Sequence, residues 1–179
     1  MDTPRKDPLL LSAKVLTIFV RVMLVIGMVF LGIGMAVMAI GAAGWLPDNV
    51  TSEIPLSMSG APLWAAVLAL FAAVVTLGLA FDFVARLARI IDTVSAGDPF
   101  SLANAARLFR MAWLALGVQL ASSAAAVLGE FAEQHIEDGH FEFESYFSLN
   151  GIALALILFI LARVFRKGAE MRDELEGTV

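Results

Sequence analysis

The chain has 179 residues, 60% of them hydrophobic, against about 45–50% in a typical soluble domain, so composition excludes an ordinary water-soluble globule and points to one compact membrane bundle. All twelve Lys and Arg residues fall in three clusters at the ends of apolar runs, and two other segments hold eight acidic residues and no basic one; with no free basic patch, direct nucleic-acid binding is not expected. Cysteine is absent, which excludes disulfides, thiolate catalysis and Cys-based zinc or iron–sulfur sites.

The first basic cluster is Arg5, Lys6, Lys14 and Arg21, and 26 uncharged residues follow it, Val22 to Pro47. As a helix, the part to Leu46 would extend about 37 Å, enough for a hydrocarbon core of about 30 Å. A secretory signal peptide is the rival reading, because Ala39 to Gly44 offers small residues at a cleavage-like position. Its apolar core would be too long, since about 7–15 residues is usual, so the run is expected to remain as an anchor. The second span begins near Pro62, a favourable first-turn residue, and runs to about Phe81, with Asp82, Arg86 and Arg89 at its exit. The third and fourth uncharged runs are Met111 to Gly129 and Ser145 to Ala162, of 19 and 18 residues. Trp45, Trp64, Trp113 and Tyr146 lie at the expected interfaces, the usual place of amphipathic rings. By the positive-inside bias the basic ends are cytoplasmic.

Between spans two and three, Leu87, Ile90, Ile91 and Val94 continue the helical period past the membrane exit. The sequence Ser95-Ala96-Gly97-Asp98-Pro99 then stops it, and Ser101 or Asn104 begins the next helix. On the other side, Ile54, Leu56 and Met58 alternate with polar residues, as do Phe141 and Phe143 with Glu142 and Glu144. That period of two predicts short strands, which would pair as a small outer β-ribbon. Gly27, Gly34 and Gly41 recur every seven positions in span one. Such a stripe lets a neighbouring helix approach closely, within the chain or across a homo-oligomer seam.

Few residues have chemistry to offer inside the bilayer. Arg21 and Asp82 are the charges nearest the hydrocarbon, and Gln119 occupies the middle of span three. Intramembrane polarity flags function, but Arg21 can snorkel outward, Asp82 has Arg86 one turn away as an ion-pair partner, and Gln119 is expected to join helices through hydrogen bonds, for instance with Thr76. His135, Glu137 and His140 sit in an acidic segment with Glu133, Asp138 and Glu142. They could ligate a divalent ion or sense pH, since free His titrates near 6.5; the spacing matches no zinc signature, and a solvated acidic loop is the simpler reading. Ser122 and Ser123 lack a general base at their depth, and no phosphate-cradling glycine loop occurs. No enzyme activity, cofactor or firm metal site is expected.

Two stretches carry a resemblance. The first is Ile91-Asp92-Thr93-Val94-Ser95-Ala96-Gly97-Asp98-Pro99-Phe100 with Asn104, Ala105 and Leu108, and the second runs from Leu161 to Glu170. In these the chain resembles a family of small four-span bacterial inner-membrane proteins catalogued as domain of unknown function 2975. Members of that family commonly carry an acidic residue where Arg163 stands and end in Leu-Thr-Val, where this chain reads Glu-Gly-Thr-Val. The resemblance implies a bacterial inner-membrane location and association with a small helix-turn-helix regulator; it brings no established activity.

The expected architecture is an all-α integral membrane protein, with four transmembrane helices in an antiparallel bundle and both termini cytoplasmic. Spans are placed at about 16–45, 62–84, 107–130 and 146–166, with a cytoplasmic connection at 86–110 and a tail at 167–179. The functional expectation is a non-enzymatic, regulatory membrane protein that docks a cytoplasmic partner through Asp98, Pro99, Phe100, Asn104 and Arg107 and through the tail. The alternatives are a small transporter or channel subunit, lined by Gln119, Thr76 and Ser122, or an immunity or envelope-stress protein.

Overall fold

A computed structural model describes residues 8–43, 45, 61–133 and 149–176. They form four helices: α1 (Pro8–Ala42), α2 (Ala61–Ser95), α3 (Leu102–Glu133) and α4 (Leu149–Glu176). No strand occurs among the described residues. The alternating segments expected to pair as a ribbon, 54–58 and 141–147, lie outside them, as do His135, Glu137 and His140.

Each helix contains a stretch long and apolar enough to cross a membrane. In hydrocarbon every backbone N–H and C=O must find an internal partner, and an uninterrupted helix is the local solution. The helices have 35, 35, 32 and 28 residues, or about 42–52 Å at about 1.5 Å per residue. That exceeds a hydrocarbon core of about 30 Å, so each helix is longer than the core is thick. The difference from the sequence reading is largest in α4, where residues 167–176, expected as a tail, continue the helix without a break. Ser101 rather than Asn104 caps α3, with the Asn104 N–H donating to Ser101 Oγ at 3.3 Å.

The chain divides into two compact units. One contains the described parts of 1–24, 79–116 and 149–179. Its core packs Ile90 of α2, Leu108, Met111, Ala112 and Ala115 of α3, and Ala155, Leu158 and Ala162 of α4. The other takes the described parts of 25–78 and 117–148, and centres on Leu63, Ala65 and Ala132, with Met38 against them. Among the described residues, eight of the thirteen buried hydrophobics are alanines. Apolar faces gain nothing by hiding from lipid, so helices associate through close contact, which small side chains permit.

Gly27 fits this pattern, since a Cβ there would stand 3.2 Å from Leu77 Cδ1. Gly34 does not: a Cβ there would meet nothing within 4 Å. Of the expected glycine groove, Gly27 thus makes a close approach and Gly34 does not. The outward faces are apolar, α1 most of all, with Val15, Phe19, Val29, Phe30 and Ile33 all more than half exposed. In water such a continuous patch would drive association; against acyl chains it is at rest.

Candidate functional site

The most specific geometry lies in the first unit, where α2 gives way to α3. α2 ends in a left-handed turn at Gly97, whose φ of 85° would cost a residue with a Cβ about 1–2 kcal/mol. The Asp98 N–H donates to Thr93 O at 3.1 Å and the Gly97 N–H to Val94 O at 3.0 Å, which satisfies the last carbonyls of the helix in the Schellman pattern. Pro99 prevents continuation.

Asn104 is the centre of this junction. It is completely buried, and its Nδ2 donates to Thr93 Oγ1 at 2.8 Å and to Pro99 O at 2.9 Å. Its Oδ1 accepts from the Arg107 guanidinium at 2.7 Å. The chemistry fixes the amide's orientation, because Arg107 can only donate and the Pro99 carbonyl can only accept. Thr93 in turn gives its proton to Ile90 O at 2.8 Å. One side chain thus ties the end of α2, the turn and the first two turns of α3 together. Asn104, expected to meet a partner, is thus spent within the fold, and Arg107, which it holds, is half-buried.

The same turn is fastened to α4. Asp98 pairs with Arg172 at 2.7 Å. The Phe100 ring packs on Phe165 with centroids 5.1 Å apart, and a Cβ at Gly168 would come within 3.0 Å of Phe100 Cδ1. Glycine at 168 is what lets the ring lie so close to the helix. Beside the Asp98–Arg172 pair is a cleft of about 260 Å³, bordered by Phe100, Leu102, Ala169 and Asp173. Lys14 of α1 reaches Asp92 of α2 at 2.8 Å.

A larger cavity, of about 760 Å³, is formed by Phe109 of α3 with Phe159, Ile160, Arg163, Arg166 and Lys167 of α4. The residues from α4 repeat at three- and four-residue spacing and so share one face. Phe159 is braced edge-on by Phe109 at 5.4 Å and by Trp113 at 5.7 Å. In the sequence these cations read as a boundary marker and gave no sign of a cavity; the signal was the recurrence of Phe159, Arg163, Arg166 and Glu170 on one helical stripe.

Two of the intramembrane polar residues, Asp82 and Gln119, have a partner one helical turn away. Asp82 Oδ2 accepts from Arg86 at 2.8 and 3.1 Å, the expected pair one turn apart. Arg21 lies 6.0 Å from the centre of the Phe81 ring, and its Nε is buried with no hydrogen-bond partner among the described residues. Gln119 is buried and donates to Ser123 Oγ at 3.4 Å. The Thr76 hydroxyl, expected near it, donates instead to Ala72 O at 2.8 Å, and Ser122 to Gln119 O at 3.0 Å. Both protons are thereby held on their own helices. Among the described residues no three acidic or imidazole groups are gathered so as to hold a metal.

The family described as "Protein of unknown function (DUF2975)" matches residues 59–179. No curated protein matches the chain, and no solved structure does.

Proposed function

From the premise that the chain belongs to the DUF2975 family, we propose that it is a non-enzymatic regulatory protein of a bacterial inner membrane, one that docks a cytoplasmic protein at the end carrying its basic clusters. The observation that carries this reading is the fastened turn at Gly97 to Phe100. Three independent ties, the Asn104 amide, the Asp98–Arg172 pair and the Phe100–Phe165 contact, hold a short connection in one shape beyond the apolar stretches. A connection that only had to join two helices would not need them. The result is a preformed surface, and preformed surfaces bind without a large ordering cost.

Of the side chains the sequence singled out, Asp98 and Phe100 are about half exposed there, and further residues join them. Leu102, which borders the cleft with Asp98, Arg172 and Asp173, is 55% exposed, and Met171 and Leu175, neighbours of Arg172 and Asp173 along α4, are 50% and 72% exposed. An apolar anchor within a charged rim is the usual composition of a protein–protein contact. A small helix-turn-helix regulator, held at the membrane and released on a signal, is the partner proposed.

Asn104→Ala is a poor probe of docking, because it would also loosen the turn. Leu102→Glu and Leu175→Glu change only exposed positions. After in vivo cross-linking and purification in detergent, the parent should recover a small DNA-binding protein, and each glutamate variant should recover about five- to thirtyfold less, as expected for loss of an anchor contributing about 1–2 kcal/mol. Equal recovery with parent and both variants would remove this surface from the docking role.

A further inference from the structure

We infer that the cavity between α3 and α4 is a binding site for the phosphodiester headgroup of an anionic phospholipid. The site is built in two halves along α4. Phe159 and Ile160, with Phe109 opposite, form an apolar half near the end of the uncharged run Ser145 to Ala162. Arg163, Arg166 and Lys167 form a cationic half one to two turns further on. From Phe159 to Lys167 the helix rises about 12 Å, which is the scale over which a phospholipid passes from acyl chain to phosphate. A ligand that is apolar at one end and anionic at the other matches both halves; a soluble anion matches only the second, and a neutral lipid only the first.

Charge supports the same occupant. Lys167 has Glu170 at 3.4 Å, an exposed and loose pair. Arg163 and Arg166 make no ion pair or hydrogen bond with any described residue, unlike Arg86, Arg107 and Arg172. Two guanidiniums without a partner among the described residues, on one helical face beside braced aromatic rings, present a fork geometry suited to phosphate oxygens. Basic pockets between membrane helices recognise anionic headgroups in this way, each cation near the surface adding about a factor of five to the preference. The volume, about 760 Å³, is within the range of small-molecule sites.

The full-length protein already contains the reporter. Trp113 stands 5.7 Å from Phe159, and replacing Trp45 and Trp64 by Phe leaves it as the single tryptophan. Reconstituted in phosphatidylcholine bilayers containing a small fraction of brominated phosphatidylglycerol, Trp113 should be quenched well beyond the level given by brominated phosphatidylcholine at the same fraction. The double substitution Arg163→Gln, Arg166→Gln should lower that preference about 25-fold, and Arg163→Lys, Arg166→Lys should keep most of it. Lys14→Gln with Arg89→Gln removes the same charge away from the cavity and should leave the preference in place. Equal quenching by the two brominated lipids in the parent overturns the site. So does an equal loss in the two glutamine doubles, which would make the preference a property of net charge. Glycerol phosphate at millimolar concentration should not compete; if it abolishes the preference, the cavity takes a soluble phosphate and the lipid assignment fails. The site needs no protein partner, so these outcomes are independent of the docking experiment.

Discussion

Asn104 shows how a single amide can hold the motif together. With no exposure at all, it has exchanged water for Thr93, Pro99 O and Arg107, and the cost of leaving such groups unpaired is about 1–3 kcal/mol. Asn104→Asp keeps an acceptor for Arg107, but removes both donors and sets a carboxylate against the Pro99 carbonyl. Asp98→Ala removes a pair whose side chains are each 50% exposed, and half-exposed pairs contribute at most about 1 kcal/mol. In unfolding titrations in mixed micelles, Asn104→Asp should therefore lower stability by about 1–3 kcal/mol, more than Asp98→Ala. A reversed ranking would show that exposure does not govern these contacts. The motif was legible in the sequence as a run of unusual residues, yet its role was not. Gly97, Pro99, Ser101 and Asn104 are specific because a left-handed cap, a helix stop, a hydroxyl cap and a buried amide each need their residue type. Specificity of that kind looks the same in a sequence as specificity for a partner, and only burial separates the two.

Among the helices, α1 is the one whose surroundings matter most. Its membrane-capable stretch runs from Leu10 to Gly41, and Thr17 is its one buried residue among those described. Most of its surface must therefore face acyl chains, and its stability depends on lipid more than on its neighbours. A charge on that face has no protein partner to offset it. Phe30, 70% exposed near the middle of the stretch, gives the sharpest test. Phe30→Asp should cost about 2.5–3.5 kcal/mol on the insertion scale and sharply reduce the carbonate-resistant membrane fraction, whereas Phe30→Leu should leave it unchanged. Full membrane recovery of the aspartate variant would mean that this face is covered by protein. The existence of all four helices was readable from their apolar runs, because lipid selects for such runs directly. Both ends of α2 and the start of α3 were readable too, from Pro62, the Ser95–Pro99 stop and Ser101; the far end of α4 was not, since hydropathy reports only the part within hydrocarbon, while hydrogen bonding carries α4 on through Arg166, Arg172 and Glu176. The packing stripe was partly readable: Gly27 meets Leu77, but nothing in a seven-residue repeat says that Gly34 faces open space.

For the whole molecule, the charge distribution makes a prediction about orientation. Four crossings return the chain to its starting side. The basic clusters hold all twelve Lys and Arg residues and the two other connections hold none, so translocating those connections satisfies the positive-inside bias at both. The absence of cysteine makes this directly measurable, because any introduced thiol is the only one. Trp45→Cys and Glu133→Cys replace exposed residues at the ends of α1 and α3; Ser95→Cys and Asp173→Cys replace exposed residues at the end of α2 and late in α4. In intact cells an impermeant maleimide should label the first two and spare the last two, and permeabilisation should expose all four. Labelling of Asp173→Cys before permeabilisation would invert the orientation and remove the cytoplasmic partner with it. The lipid site would survive that result, because anionic phospholipid is available to a cationic cavity from either leaflet, whereas a DNA-binding regulator is available from only one side.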